Sequence, residues 1–420
     1  MSEKYKELKD KESYNSYQEH LAFSKELNIL RNDFYYQLMD TECDMLIDFL
    51  YKPLDILSGD SYSVRKINGN MAFFLLVDGM GKGLSASLTS ILMTSFINYT
   101  IDKMLKDSKF DLDVLIGDSI DYIKSILLEE EALAIDYIFL NCNENIIKYA
   151  KFATPVLLMQ NTANKIIKLK SNNPPLSKYQ NEFKISECNI SNISKFLFYS
   201  DGLVENSLKN NTQTYNDIIE KDFLSSFTKK ELSESFFEKT DTQEDDVTII
   251  YINRLSKIKQ HSYLKKFKTR LEDIDSATLW YEELWKTFSN DNELIESAIL
   301  VFTELYMNAY EHGNLQISTQ TKNRLIGEDI YFETLKKMES EEIFKDRYIT
   351  VNVSKINYLK SSYIVTQISD EGKGFDTDIL KNVFRFKNTF NGRGVFVSRK
   401  NSMGIYYNTK GNSILYLHKL

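Results

Sequence analysis

The sequence predicts an α+β protein with two folded domains, and three observations carry that prediction. Apolar runs of strand length ("MAFFLLVD", "AIDYIFLNC", "KFLFYSDG", "DVTIIYIN") do not alternate one-for-one with helical stretches, which favours antiparallel sheets over a doubly wound fold. Long helical patterns such as "GLSASLTSILMTSFINYTIDKML" and "LEDIDSATLWYEELWKTF" are grouped between those runs. The chain has 420 residues, 42% hydrophobic and 27% charged, which is enough for two cores of ordinary globular composition.

Residues 1–43 are polar, and the opening "MSEKYKELKDKESY" lacks the apolar core of a signal peptide. Phe23, Leu27, Leu30, Phe34 and Leu38 recur at spacings of three and four, one narrow stripe of a helix. Such a stripe suits either a helix lying on its own domain or a coiled-coil-like segment that pairs two copies, so a homodimer with an N-terminal regulatory helix is expected. Residues 44–253 form the first domain. Residues 254–265 are basic and read as a linker. The second domain, 266–420, opens with two helical patterns, the second being "ELIESAILVFTELYMNAYEHG". The polar stretch from Asn314 to Asp346 reads as a lid or a disordered loop. Strands then return in "YITVNVSKIN", "SYIVTQISD" and "SILYLHKL".

Composition excludes several function classes. The net charge of -8, from 52 basic and 60 acidic residues, and the absence of a dense basic patch argue against a nucleic-acid partner. No apolar stretch approaches the roughly 20 residues of a membrane helix, so a cytoplasmic protein is expected. Cys43, Cys142 and Cys188 are isolated and read as free thiols, and the four histidines are scattered, so zinc chemistry is not expected.

Four carboxylate positions carry the first chemical reading. Asp60 follows a glycine and precedes a strand in "LSGDSYSV". Asp78-Gly79 ends the strand of "FFLLVDGMGKG". Asp201-Gly202 ends that of "FLFYSDGLVEN". Asp245 and Asp246 precede the strand of "EDDVTIIYI". Any one Asp-Gly pair is a common turn. Together the four place acidic groups at strand ends, which meet at one edge of a packed sheet. Clustered carboxylates repel unless cations neutralise them, and oxygen-only ligands select Mg²⁺ or Mn²⁺. Two such ions about 4 Å apart can hold an attacking hydroxide against phosphorus. Gly79 leaves its carbonyl accessible to an ion, and Gly81 and Gly83 open the following helix with little bulk.

"SGDSY", "VDGMGKGLSAS", "LFYSDGLVE" and "DDVTIIYI", in this order, resemble the PPM-type protein phosphatases of the SpoIIE/RsbU group, and "NPPLS" resembles a further block of it. The resemblance implies a β-sandwich flanked by helices and a two-ion Mg²⁺ or Mn²⁺ centre that hydrolyses phosphoserine or phosphothreonine. It implies that Asp60, Asp78, the Gly79 carbonyl, Asp201 and Asp245 hold the metals and serve catalysis, Asp246 being the weaker choice of its pair. The group usually reads Asn-Ala-Gly-His where this chain has "YAKFATPVLLM", and an aromatic where Ser61 stands. A catalytically inactive copy is the corresponding alternative.

In the second domain "FTELYMNAYEHGN" sets Glu304, Asn308 and Glu311 at i, i+4 and i+7, with Glu304, Asn308 and His312 also on one face and Val301, Leu305 and Ala309 opposite. Downstream, "QISDEGKGFD" ends a strand in Asp370 and continues into Gly372 and Gly374, and "NGRGVFVSRKNSM" supplies Gly392, Arg393 and Gly394 before a helical start. Glycine-rich loops at helix N-termini free backbone N–H groups for phosphate. These motifs resemble the GHKL ATPase fold and, within it, the anti-sigma-factor serine kinases of the RsbW/SpoIIAB type. The resemblance implies an α/β sandwich that binds ATP with Mg²⁺. By it Asn308 holds the Mg²⁺, Glu304 is the base in phosphotransfer, Asp370 takes the adenine, and Gly372, Gly374, Gly392, Arg393 and Gly394 line the pocket. No histidine box for phosphotransfer precedes the domain.

The expectation that joins both domains is a partner-switching regulator. Its phosphatase acts on a phosphorylated, STAS-type anti-sigma-factor antagonist. Its ATP-binding domain rephosphorylates that antagonist or sequesters a sigma factor, under an upstream sensor. The alternatives are a phosphatase with a nucleotide-sensing, non-transferring domain, and a non-catalytic tethering module.

Overall fold

The computed structural model describes residues 21–22, 25–34, 38–39, 45–81, 83–209, 213–255, 260–377 and 393–420. Among them the chain divides into two compact units: the first takes the described residues up to 34 and from 45 to 255, and the second takes residues 38–39 and those from 260 onward. The mixed α+β class expected from the sequence is what the chain adopts.

The first unit is a sandwich of two largely antiparallel sheets. Its strands are β1 (Met45–Lys52), β2 (Asp60–Asn68), β3 (Met71–Gly79), β4 (Ala132–Asn141), β5 (Ile146–Phe152), β6 (Leu157–Asn161), β7 (Ile166–Leu169), β8 (Leu176–Ser177), β9 (Ser186–Asn189), β10 (Ile193–Tyr199) and β11 (Val247–Arg254). One sheet runs β2-β3-β4-β5-β9, with β8 on β4. The other includes β1-β11-β10-β6-β7 in that order. The helices α1 (Leu84–Lys106) and α2 (Leu112–Lys124) cover the outer face of the first sheet. The helices α3 (Asp201–Glu205), α4 (Ile219–Ser225) and α5 (Lys229–Lys239) cover the second.

This layering explains the unbroken apolar run of β3. Phe73, Leu75 and Val77 point to α1 and α2, while Phe74 packs on Phe198 of the facing sheet with ring centroids 5.3 Å apart. Both faces are covered, so the usual alternation of apolar and polar residues is absent. Lys195 on β10 is buried and donates to the carbonyl of Ser226 at 2.7 Å and to that of Phe223, which satisfies the chain just past the end of α4.

The expected N-terminal helix is shorter than its stripe. Residues 25–29 are helical, but Arg31–Asn32 is a strand that runs parallel to Ser63–Val64 of β2. Leu30 and Phe34 are buried in the first unit. Buried Arg65 binds Asp33 at 3.0 Å and also bonds Asp102 of α1, so this segment is tied to the domain and not extended as one helix through Leu38. Phe23 and residues 1–20 lie outside the described residues. The expected linker is also corrected. Arg254 is a buried residue of β11 that donates to the Ile190 carbonyl at 2.6 Å, and residues 260–265 lie in a strand. Cys188 is a free thiol as expected, but Cys142 is disulfide-bonded.

The second unit has one antiparallel sheet, built from β12 (Gln260–Lys268), β13 (Tyr348–Tyr358), β14 (Ser361–Asp370), β15 (Gly404–Tyr407) and β16 (Ser413–Lys419) in the order β12-β13-β14-β16-β15. The helices α6 (Leu271–Phe288) and α7 (Asn292–Asn308) pack on it, with Tyr281 stacked on Phe302 at 4.1 Å and donor or acceptor to Thr366 of β14. The helix α7 runs on into a π-helical turn, Ala309–Asn314. The stretch from Asn314 to Asp346 is not a disordered loop. It holds two helices, α8 (Thr319–Gly327) and α9 (Tyr331–Glu339), whose Leu325, Tyr331 and Leu335 join the core. A final helix, α10 (Arg393–Lys400), packs against α7.

Candidate functional site

The strand ends of the first sandwich bring the acidic residues together. Asp60 opens β2 and faces Asp78, near the end of β3, as its register partner. Asp201 begins α3 directly after β10 and its preceding Ser200, and Asp245 and Asp246 directly precede β11, the neighbour of β10. Gly202 lets these two segments approach. A Cβ there would stand 1.9 Å from the Asp246 carbonyl oxygen and 3.1 Å from the Asp245 Cβ, so a larger residue would force Asp201 and Asp245 apart.

The electrostatics match the crowding. Burial raises the Asp60 carboxyl well above the usual range. Ser200 and Thr248 oppose that rise by hydrogen bonding, Thr248 at 2.6 Å, while the charges of Asp246 and Asp201 add to it. Asp78 is pushed up to about 10, first by burial, then by the charges of Asp60 and Asp201, by a hydrogen bond with Asp201, and by Asp245. Asp246 has another task. Its two oxygens accept from the backbone N–H of Leu54 at 2.7 Å and of Gly59 at 2.6 Å, clamping the loop that delivers Asp60.

Among the described residues no three acidic, imidazole or thiol side chains are arranged to hold a metal ion as they stand. Their chemistry nevertheless fits one. The donors are all carboxylate oxygens, and their mutual repulsion is what a hard divalent cation relieves. A small cavity at this rim is lined by Asp60, Asp78, Ala134, Thr154, Tyr199, Ser200 and Thr248, among others.

Sequence reasoning missed Thr154. It lies two residues past the end of β5, in the loop where the expected glycine and histidine are absent. Ala153 takes φ 55°, the left-handed region that favours glycine. The loop is held by the "NPPLS" region: Asn172 Oδ1 accepts from Lys151 N at 2.8 Å, the Asn173 carbonyl accepts from Ala153 N at 3.3 Å, and Ser171 Oγ donates to the Thr154 carbonyl at 2.8 Å. The departure of "YAKFATP" from the family block was the signal that could have singled this loop out.

In the second unit Asp370 ends β14 and meets the π-helical turn after Asn308. A Cβ on Gly313 would lie 2.4 Å from the Asp370 carboxyl carbon, and one on Gly372 would lie 2.2 Å from the Gly313 carbonyl oxygen. Gly372 N donates to Asp370 Oδ1 at 2.9 Å, and burial pushes the Asp370 carboxyl up to about 6. Buried Asn314 ties the turn down, donating to Thr269 and the Tyr348 carbonyl and accepting from Glu371 N at 2.7 Å. Glu304 and Asn308 are half-buried on α7, and the Glu304 charge adds to the burial that raises the Tyr407 hydroxyl. Gly374 follows Asp370 and takes φ 76°. Arg393 and Gly394 begin α10, and Gly392 lies outside the described residues. Glu311 is corrected: the wider π-helical turn buries it, bonded to Lys322 at 2.5 Å and to Tyr331, so it does not share an open face with Glu304 and Asn308.

Residues 68–255 match the family model of SpoIIE, Stage II sporulation protein E, so this segment matches a phosphatase domain of the PPM class. No curated protein matches the chain. Among solved structures it is similar to RsbX in complex with magnesium, at 17% identity over 52% of this chain and 98% of that one, with a TM-score of 0.40. It is also similar to the RsbU and RsbW domains of a Mycobacterium tuberculosis protein, at 13% identity over 89% and 94%, with a TM-score of 0.45. A third likeness is the PP2C phosphatase domain of SpoIIE from Bacillus subtilis, at 18% identity over 50% of this chain and 63% of that one, with a TM-score of 0.41. No helix among the described residues is long and apolar enough to cross a membrane.

Proposed function

We propose that the first unit is a metal-dependent phosphoserine or phosphothreonine phosphatase acting on a small STAS-type antagonist of an anti-sigma factor. The observation that carries this reading is the facing of Asp60 and Asp78 across neighbouring strands, with Asp201 and Asp245 close enough to raise the Asp78 carboxyl. Asp60, Asp78, the Gly79 carbonyl, Asp201 and Asp245 would hold two Mg²⁺ or Mn²⁺ ions, which would supply an activated water and neutralise charge on phosphorus. The chain's own part is to deliver the carboxylates, fix them through Thr248, Ser200 and the Asp246 clamp, and leave a small cavity beside them. The full chain should hydrolyse p-nitrophenyl phosphate with Mn²⁺, and Asp78→Asn should lower kcat by about a hundredfold or more, since the remaining ligands cannot complete the coordination. Hydrolysis without added metal, or undiminished in Asp78→Asn, would overturn the reading.

For the second unit we propose a GHKL-type ATP site, with Asp370 at the adenine, Asn308 on Mg²⁺, Glu304 as base, and Gly372, Gly374, Gly392, Arg393 and Gly394 around the phosphates. The interlock of Gly313, Gly372 and Asp370 supports it, because it joins the end of the Asn308 helix to the strand end. A non-hydrolysable ATP analogue with Mg²⁺ should bind in a calorimetric titration, and Asp370→Asn should weaken that binding by at least about tenfold, the loss expected for one buried charged hydrogen bond. Equal affinity in the variant would remove Asp370 from the site. With such a site, the unit would act as a serine kinase for the antagonist or hold a sigma factor.

A further inference from the structure

Beside the loop that departs from the family block lies a buried ion pair that the proposed reaction has not yet used. Lys151 on β5 is the register partner of Asp136 on β4. Its Nζ lies 2.8 Å and 2.7 Å from the two Asp136 oxygens, with the side chains 1% and 2% exposed. The Thr154 hydroxyl donates to Asp136 Oδ1. In this bond the carboxylate oxygen is the acceptor and the hydroxyl the donor. Its one proton is thereby committed, and the hydroxyl turns lone pairs to its other surroundings. Those surroundings include the cavity that Thr154 shares with Asp60, Asp78, Ser200 and Thr248.

We infer that Lys151 and Asp136 are positioning residues that fix the Thr154 hydroxyl as a hydrogen-bond acceptor for the water that attacks phosphorus. The inference rests on the phosphatase reading. In the hydrolysis the water oxygen bonds to phosphorus as the bond from phosphorus to the seryl or threonyl oxygen breaks. One water proton ends on the departing alkoxide and the other stays on the phosphate. Thr154 takes neither. By accepting a hydrogen bond from the water it aims the water's lone pair, and the Lys151 ion pair holds the Asp136 carboxylate in place as the acceptor of the Thr154 proton. A bare carboxylate buried at this place would be strongly unfavourable without its cation.

The test uses the full chain with Mn²⁺ and p-nitrophenyl phosphate. Thr154→Val, which keeps the shape and removes the hydroxyl, should lower kcat about tenfold or more while KM stays within about twofold, the signature of an interaction made in the transition state. Thr154→Ser should recover most of the loss. Calorimetric titration should give Thr154→Val the Mn²⁺ affinity of the unaltered chain. The neutral double variant Asp136→Asn with Lys151→Met should lower kcat by a factor similar to that of Thr154→Val. Full kcat in Thr154→Val, no recovery in Thr154→Ser, or lost Mn²⁺ binding in Thr154→Val would each overturn the inference. Full kcat in the double variant would overturn the part of the ion pair. An unaltered chain without Mn²⁺-dependent hydrolysis would refute the phosphatase reading itself, and the inference with it.

Discussion

Burial and the charges of Asp60 and Asp201 push the Asp78 carboxyl up to about 10, and that rise sets how the first site responds to pH. The folded, ion-free chain keeps a proton there that the unfolded chain has already released, so its stability falls as pH rises from about 4 toward about 10. A divalent ion must displace that proton. Mn²⁺ affinity from calorimetric titration should therefore rise several-fold per unit between about pH 6 and pH 8, with proton uptake by the buffer. An affinity independent of pH would contradict a protonated Asp78. Ala153 makes a second prediction at this scale. Its left-handed backbone strains any residue with a Cβ, so Ala153→Gly should raise stability by up to about 1 kcal/mol, read as a higher Tm of the first unit. An unchanged or lower Tm would mean that the loop gains nothing from the added freedom.

Among the elements, the pair α8 and α9 shows how polar sequence becomes ordered structure. Little in "STQTKNRLIGEDIYFETLKKMES" reads as a core helix, yet Leu325, Tyr331 and Leu335 are buried. Two glutamates anchor the pair: Glu311 takes Lys322 and Tyr331, and Glu339 takes Tyr310 and the Leu271 backbone N–H at 2.6 Å. Glu311→Ala would leave a buried tyrosine hydroxyl and a lysine without that partner, costing roughly 1–3 kcal/mol. Hydrogen exchange should then speed up in residues 319–339 with little change in the first unit. Unchanged protection would mean that the apolar contacts alone hold these helices. The short N-terminal helix teaches the complementary lesson. Its stripe was legible, but Leu30 and Phe34 spend it on the chain's own sandwich, and Arg65 pins the segment there.

At the scale of the molecule, two units each build a separate core, and each places its candidate residues where strands or helices end. The α+β class, the strand runs and the carboxylates at strand ends were legible in the sequence, because hydrophobic period and turn chemistry are local properties. So were Asp370 and its glycines. Which strand pairs with which was not local, and it decides that Asp60 faces Asp78 and that Asp246 clamps a loop 187 residues away. The burial of Glu311 by a π-helical turn, and the meeting of Lys151, Asp136 and Thr154 beside the acidic cavity, were likewise settled in three dimensions. Residue identity determined which groups could carry charge, accept a proton or turn the chain. Tertiary packing alone decided which of them lost water and gained one another, and desolvation with proximity is what shifts a carboxylate far from its ordinary state.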